Sequence, residues 1–121
     1  MALWIWLAVA ALGGSFSVVR FLVDAAISSR TAAEFPWGTF FINVTGSFVL
    51  GWFVGAGLGG TTLLLAGTAS VGAYTTFSTW MLEAHRLGSD DDRRPLLAYV
   101  LGSLVVGLAA AAAGHSLGGA L

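Results

Sequence analysis

The sequence has no cysteine and few charged residues, and both scarcities narrow the class of protein it can be. Without cysteine there is no disulfide, no thiolate nucleophile and no zinc–sulfur site. Charged residues make up only 9% of the 121 residues, whereas a typical soluble domain has about a quarter. The formal net charge of −1 gives no basic patch for nucleic acid. The composition therefore excludes a water-soluble globular protein and a nucleic-acid-binding protein.

Long apolar stretches fill the sequence instead. The five basic and six acidic residues lie in two clusters. The first cluster contains Arg20, Asp24, Arg30 and Glu34. The second contains Glu83, Arg86, Asp90, Asp91, Asp92, Arg93 and Arg94. The uncharged stretches cover residues 1–19, 35–82 and 95–121, and a membrane span needs about 20 apolar residues. We predict an all-α membrane protein with one domain over residues 1–121 and four transmembrane helices over approximately 2–23, 37–58, 62–87 and 95–118.

Polar and small residues follow one face of the second predicted span. Asn43 lies inside this span, with Thr39 one turn before it and Ser47 one turn after it. Gly51 and Gly55 continue the four-residue spacing, which favours close helix packing in a membrane. Polar side chains in a span face protein or water. Asn43 is therefore either a functional group or a hydrogen-bonding group that fixes helix packing, and both interpretations stay open.

The third predicted span is rich in glycine, hydroxyl and β-branched residues between Gly67 and Thr79, which are poor helix formers. We predict a break near Gly72 to Thr76. Such breaks are tolerated where the freed backbone groups are buried in protein or line a cavity, and they often coordinate ions. The alternative is an intact helix whose hydroxyls bond to the carbonyl four residues earlier.

Beyond the predicted break, aromatic and hydroxyl residues share neighbouring helix faces. Phe77 and Trp80 lie on one face, and Thr76, Thr79 and Glu83 lie on the next. Ring edges carry positive partial charge, so ring edges, hydroxyls and an amide together offer weak donors without a fixed cation. This set favours a small, strongly hydrogen-bond-accepting anion.

The remaining titratable residues give no sign of a reaction. Glu83 is either a proton carrier, a partner of Arg86 or a partner of a hydroxyl. His85 and His115 are too few for a metal site. No set of nucleophile, base and orienting group is present, so we predict that the protein is not an enzyme.

Two motifs resemble those of a known family. The run Gly-Thr-Phe-Phe-Ile-Asn-Val-Thr-Gly-Ser-Phe at 38–48 precedes Thr-Thr-Phe-Ser-Thr-Trp at 75–80 and Glu83. Both motifs, in this order and at this spacing, resemble the Fluc (CrcB) family of bacterial fluoride channels. The resemblance covers essentially the whole chain and includes its four-span plan.

The resemblance implies an antiparallel dimer in the bacterial inner membrane, with two narrow fluoride pores that export cytoplasmic fluoride passively. It places Asn43, Phe77, Trp80, Thr76, Thr79 and Glu83 along the pore, and the polar face of the second span adds Thr39 and Ser47. It places Arg20 in an aqueous vestibule. It also implies a central structural sodium ion, held by the backbone carbonyls of Gly72 and Thr75, and no organic cofactor.

The sequence departs from the family pattern at three places. Trp80 stands where the family usually has Phe, and Ala73 stands where a second glycine is usual. Around Arg20, the usual Gly, Ala and Tyr are replaced by Ser17, Val18 and Phe21. The larger ring and N–H donor of Trp80 are expected to narrow or rewire one pore.

Two rival functions remain, namely a small proton-coupled multidrug exporter and a membrane subunit that transports nothing. The exporter needs a deeply placed acid, and residues 35–82 contain none. Four spans place all five arginines on one side of the membrane, which predicts a fixed orientation with both termini outside. The partner in the dimer is then either a second copy of the chain or an oppositely oriented paralogue.

Overall fold

The computed structural model describes residues 1–31, 35–89 and 91–120, and its secondary structure there is entirely helical. Helix α1 covers Leu3–Ser28 and α2 covers Trp37–Gly55. Helix α3 covers residues 60–74, α4 covers Ser78–Gly88, and α5 covers Arg94–Ala120. The predicted roles of Glu34 and Asp90 in the charged clusters lie outside the described residues.

Three of these helices, α1, α2 and α5, are long and apolar enough to cross a membrane. Most of their large apolar side chains are exposed, and the fully buried core is small, with Tyr99, Ile42 and Thr39 as its largest members. In lipid this distribution is favourable, because the hydrocarbon is as apolar as leucine. The protein is a multi-pass membrane protein.

Glycines bring α2 and α5 into close contact. A Cβ atom at Gly51 or Gly55 would collide with the backbone of Ala111 or His115. In return, a Cβ atom at Gly114 or Gly118 would collide with the backbone of α2 at Phe48 and Trp52. Each helix thus contributes two small residues four positions apart, the pattern that lets membrane helices approach closely. The predicted packing face of α2 is confirmed for these two glycines.

The helix ends differ from the predicted spans. Helix α1 continues to Ser28, five residues beyond the predicted end at Val23, so Arg20 lies inside the helix and not at its end. A charge ends an apolar stretch but leaves the backbone hydrogen bonds of a helix intact. Helix α2 ends at Gly55 because Gly57, at φ +84°, closes it. The N–H groups of Gly57 and Leu58 donate to the carbonyls of Val54 and Phe53, which is a Schellman motif.

Helix α3 is mostly a π-helix, which no sequence pattern predicted. Leu64–Val71 is π-helical between short α-helical turns, and the Ser70 hydroxyl donates to the carbonyl of Leu65, five residues earlier, at 2.7 Å. The chain then leaves the helical conformation at Thr75, whose φ and ψ are −81° and 164°. Helix α4 begins three residues later at Ser78. Residues 75–77 therefore separate two short helices that are each shorter than a span.

Candidate functional site

Asn43 joins α2 to the non-helical residues between α3 and α4. Its Nδ2 donates to the carbonyl of Thr76 at 2.9 Å, and its Oδ1 accepts from the N–H of Thr76 at 2.9 Å. One amide side chain thus replaces both backbone partners that Thr76 lacks outside a helix. Because unpaired backbone groups are costly in a membrane, Asn43 stabilises the non-helical conformation at Thr76.

The neighbouring hydroxyls fix the same segment from both sides. The Oγ1 of Thr76 accepts from the N–H of Thr79 at 3.2 Å, which caps the start of α4. The hydroxyl of Thr75 donates to the carbonyl of Val71 at 3.1 Å. Gly46 lies directly against the Thr75 methyl group, and a Cβ atom there would collide with it. Small residues of α2 therefore make room for the break.

A cavity of about 390 Å³ lies beside the break, between α2, α3 and α4. Its lining includes seven of the predicted site residues, namely Asn43, Ser47, Gly72, Thr75, Thr76, Phe77 and Trp80. The other lining residues are Gly46, Leu50, Gly67, Thr68 and Val71. None of the described residues that line the cavity carries a charge, so its polar surface consists of an amide, hydroxyls and backbone groups.

Two aromatic rings lie at one end of this cavity. The ring centroids of Phe77 and Trp80 are 5.6 Å apart, with the ring planes at 59°. Phe77 is 71% exposed, which is unusual for a phenylalanine that belongs to no helix. Trp80 packs on its other side against Tyr99 of α5, with centroids 6.3 Å apart. The aromatic pair therefore connects the cavity surface to the buried part of the chain.

Three buried donors have no hydrogen-bond partner among the described residues: Trp80 Nε1, the Tyr99 hydroxyl and Ser103 Oγ. A buried donor without an acceptor costs about 1–3 kcal/mol. Of these three residues, only Trp80 lines the cavity, whereas Tyr99 and Ser103 lie on α5 outside its lining.

Thr39 and Glu83 form a second polar contact, separate from the lining of the cavity. The Thr39 hydroxyl donates to Oε1 of Glu83 in a very short hydrogen bond. Thr39 is 2% exposed, and Glu83 is partly buried. Of the three partners considered for Glu83, the hydroxyl is the one observed, and no ion pair with Arg86 is found in the described part of the chain.

We expect Thr39→Val to destabilise the protein by about 1.5–3 kcal/mol, because a hydrogen bond to a charged group is lost from a buried position. Thermal unfolding of the purified protein measures the change. Thr31→Val is the matched control, since that hydroxyl is exposed and, among the described residues, bonds only to the carbonyl of Ile27 near the end of α1. Equal stability of the two variants would show that the Thr39–Glu83 contact contributes nothing.

The structure places the remaining predicted residues away from the cavity lining. Arg20 is partly buried on α1, and no carboxylate of the described residues pairs with it. Thr79 reaches the break through its backbone N–H, not through its hydroxyl. Thr39, Thr79, Glu83 and Arg20 therefore do not line the same cavity as Asn43.

The backbone carbonyls of Gly72 and Thr75 fit the chemistry of a sodium site. Within the described residues, the Gly72 carbonyl accepts only a long hydrogen bond of 3.5 Å from the Thr75 hydroxyl. The N–H that a continuous helix would offer it, that of Thr76, is bound by Asn43. Gly72 is exposed. Free carbonyls at the end of a broken helix are groups that hold Na⁺ in membrane proteins.

Taken together, the fold and the cavity define a multi-pass membrane protein with a polar site at a helix break. Residues 6–115 match the family described as CrcB-like protein, Camphor Resistance (CrcB). The chain belongs to this family, which confirms the resemblance read from its two motifs.

Several curated relatives are similar over most of their length. The chain is 52% identical over 111 residues to Fluoride-specific ion channel FluC 2 of Mycobacterium bovis, covering 92% of this chain and 88% of that protein. It is 50% identical over 113 residues to the protein of that name from Mycolicibacterium paratuberculosis, covering 93% of each. The corresponding protein of Clostridium acetobutylicum is 41% identical over 96 residues, or 79% of this chain and 82% of that one. No solved structure matches.

Proposed function

We propose that the protein is a fluoride-selective channel that lets cytoplasmic fluoride leave a bacterial cell by passive diffusion through the inner membrane and so protects the cell from fluoride toxicity. The observation that carries this proposal is the cavity at the break, whose polar lining has donors but no charged side chain. Fluoride accepts hydrogen bonds strongly and is small. The names of the relatives support the same ion.

The proposed pore is completed by a second subunit in antiparallel orientation. Two features of the single chain support this arrangement. Phe77 is largely exposed although it lies beside the polar cavity, and the carbonyl of the exposed Gly72 accepts only a long hydrogen bond among the described residues. A weakly paired backbone carbonyl is poorly suited to lipid. A partner that covers the break shields this carbonyl and packs against Phe77, and α3 and α4 then act together as one interrupted span.

The proposed sodium ion belongs to the same interface. The carbonyls of Gly72 and Thr75 from each subunit would hold it, and its charge would tie the two breaks together. The chain's own contribution is to divert the N–H groups that a continuous helix would offer these carbonyls. Asn43 binds the Thr76 N–H, and the Thr76 hydroxyl binds the Thr79 N–H. The ion's role is structural, and no step of ion passage requires it to move.

The arginines support a fixed orientation of each subunit. Asp24 of α1 lies against Gly38 of α2, and the neighbouring Thr39 bonds to Glu83 of α4, so the two charged clusters lie at the same end of the helices. Loops rich in Arg remain in the cytoplasm, and both termini would then be outside. The oppositely oriented partner is a second copy of the chain or a paralogue. A C-terminal reporter read on both membrane faces separates these two: signal from one face only requires a paralogue.

Fluoride efflux from liposomes that contain only this chain tests the proposed function. A fluoride electrode follows the release after the vesicles are diluted into fluoride-free buffer. We expect release with the pH clamped equal on both sides, because a passive channel needs no proton gradient. Release only under a proton gradient would instead support the exporter. No release from liposomes with this chain alone, and none after an oppositely oriented paralogue is added, would support the subunit that transports nothing.

A further inference from the structure

We infer that the indole N–H of Trp80 is a direct hydrogen-bond donor to the permeating anion, which makes Trp80 a specificity-determining residue of this chain. The inference rests on the proposed function and adds to it a ligand that a phenylalanine at this position cannot supply. The observation that carries it is a buried Nε1 without an acceptor among the described residues.

The position of the indole fits this role. Trp80 lies on the first turn of α4, lines the cavity beside Asn43 and contacts Phe77 on one side. On its other side it packs against Tyr99 of α5. The indole thus lies between the cavity and the buried part of the chain.

The chemistry of the indole distinguishes it from a phenyl ring. The indole N–H donates only and accepts nothing, so a water or an anion satisfies it, whereas a cation does not. Hydrogen bonds to a charged group are stronger than those between neutral groups. Trp80 is therefore expected to hold the anion more tightly than a ring edge does. Tighter binding slows the release of the anion, because conduction requires a site that binds the ion weakly enough for the ion to leave.

This inference predicts a specific effect of removing the N–H. Replacing Trp80 by 3-benzothienylalanine changes the N–H to sulfur and keeps the shape of the ring. We expect the fluoride concentration for half-maximal flux to rise about ten-fold, the size of one hydrogen bond to a charged group, while the maximal flux stays equal or rises. Trp80→Phe is expected to act in the same direction. Trp6→Phe, at an exposed position on α1, is the control and should change neither quantity.

A second measurement does not depend on flux. In the ¹H–¹⁵N spectrum of the purified protein in nanodiscs, the Trp80 indole signal is the one missing from Trp80→Phe. We expect this signal to move downfield with added sodium fluoride and to stay in place with sodium chloride, and the Trp6 signal to move with neither.

The outcomes separate this inference from the proposed function. The role of the N–H is overturned if the indole signal does not move with fluoride and the benzothienyl variant keeps the wild-type fluoride concentration for half-maximal flux. The protein would then still be a fluoride channel. Absence of fluoride flux from the wild-type protein, alone and with its partner, overturns the proposed function itself.

Discussion

Asn43→Leu is expected to reduce fluoride flux by about 100-fold or more. The substitution removes both hydrogen bonds to Thr76 and leaves its N–H and carbonyl unpaired beside the cavity. Each unpaired buried group costs about 1–3 kcal/mol, and a loss of 2.8 kcal/mol corresponds to a hundred-fold change. The segment 75–77 therefore leaves the geometry that lines the pore. Electrode traces from liposomes with equal amounts of protein measure the loss.

The control for this variant is Ser47→Ala one turn further along α2. Ser47 also lines the cavity, but its hydroxyl donates to the carbonyl of Asn43 within the helix, so we expect a flux within about three-fold of wild type. Size-exclusion chromatography of Asn43→Leu should show the same oligomeric state as wild type. If the variant dissociates instead, Asn43 holds the fold together and its effect on flux says nothing of the pore.

Phe77→Leu is expected to reduce fluoride flux by roughly ten-fold with no loss of stability. The side chain is 71% exposed on the single chain, so its removal costs the fold little. The variant loses the positive ring edge that faces a passing anion. Edge contacts of an aromatic ring amount to about 0.5–1.5 kcal/mol in ring pairs, and about 1.4 kcal/mol corresponds to a ten-fold change, which sets the size of the effect.

Phe21→Leu is the matched control, because Phe21 is 67% exposed on α1 and lies outside the cavity lining. Its flux and melting temperature should equal those of wild type. Equal flux from Phe77→Leu and Phe21→Leu would show that the ring edge of Phe77 does not act on the passing anion. A lower melting temperature for Phe77→Leu alone would show that the ring also stabilises the proposed dimer.

The sequence was sufficient for the helical class and for most of the cavity. Runs of uncharged residues predict helices in a membrane, and glycine and hydroxyl residues at a fixed spacing predicted that Asn43 and Ser47 lie together on one polar face. The family motifs then added Gly72, Thr75, Phe77 and Trp80, which the structure places around the same cavity.

Other features depend on tertiary contacts that no local pattern reports. The π-helical turns of Leu64–Val71 have no signature in residue type, because the shift from four-residue to five-residue hydrogen bonds depends on what the helix packs against. The contact of Thr39 with Glu83 joins residues 44 positions apart. The hydroxyls of Tyr99 and Ser103 are buried without partners among the described residues, which depends on how α5 packs against the other helices.

The most direct test of the central claim compares fluoride and chloride in the same liposomes. Vesicles containing the chain, with its paralogue if the reporter requires one, are loaded with both anions, and the two are followed by electrodes during efflux with valinomycin present to balance charge. A cavity with donors but no fixed cation predicts rapid fluoride release and chloride release no faster than from protein-free vesicles. Equal release of both anions would contradict the account.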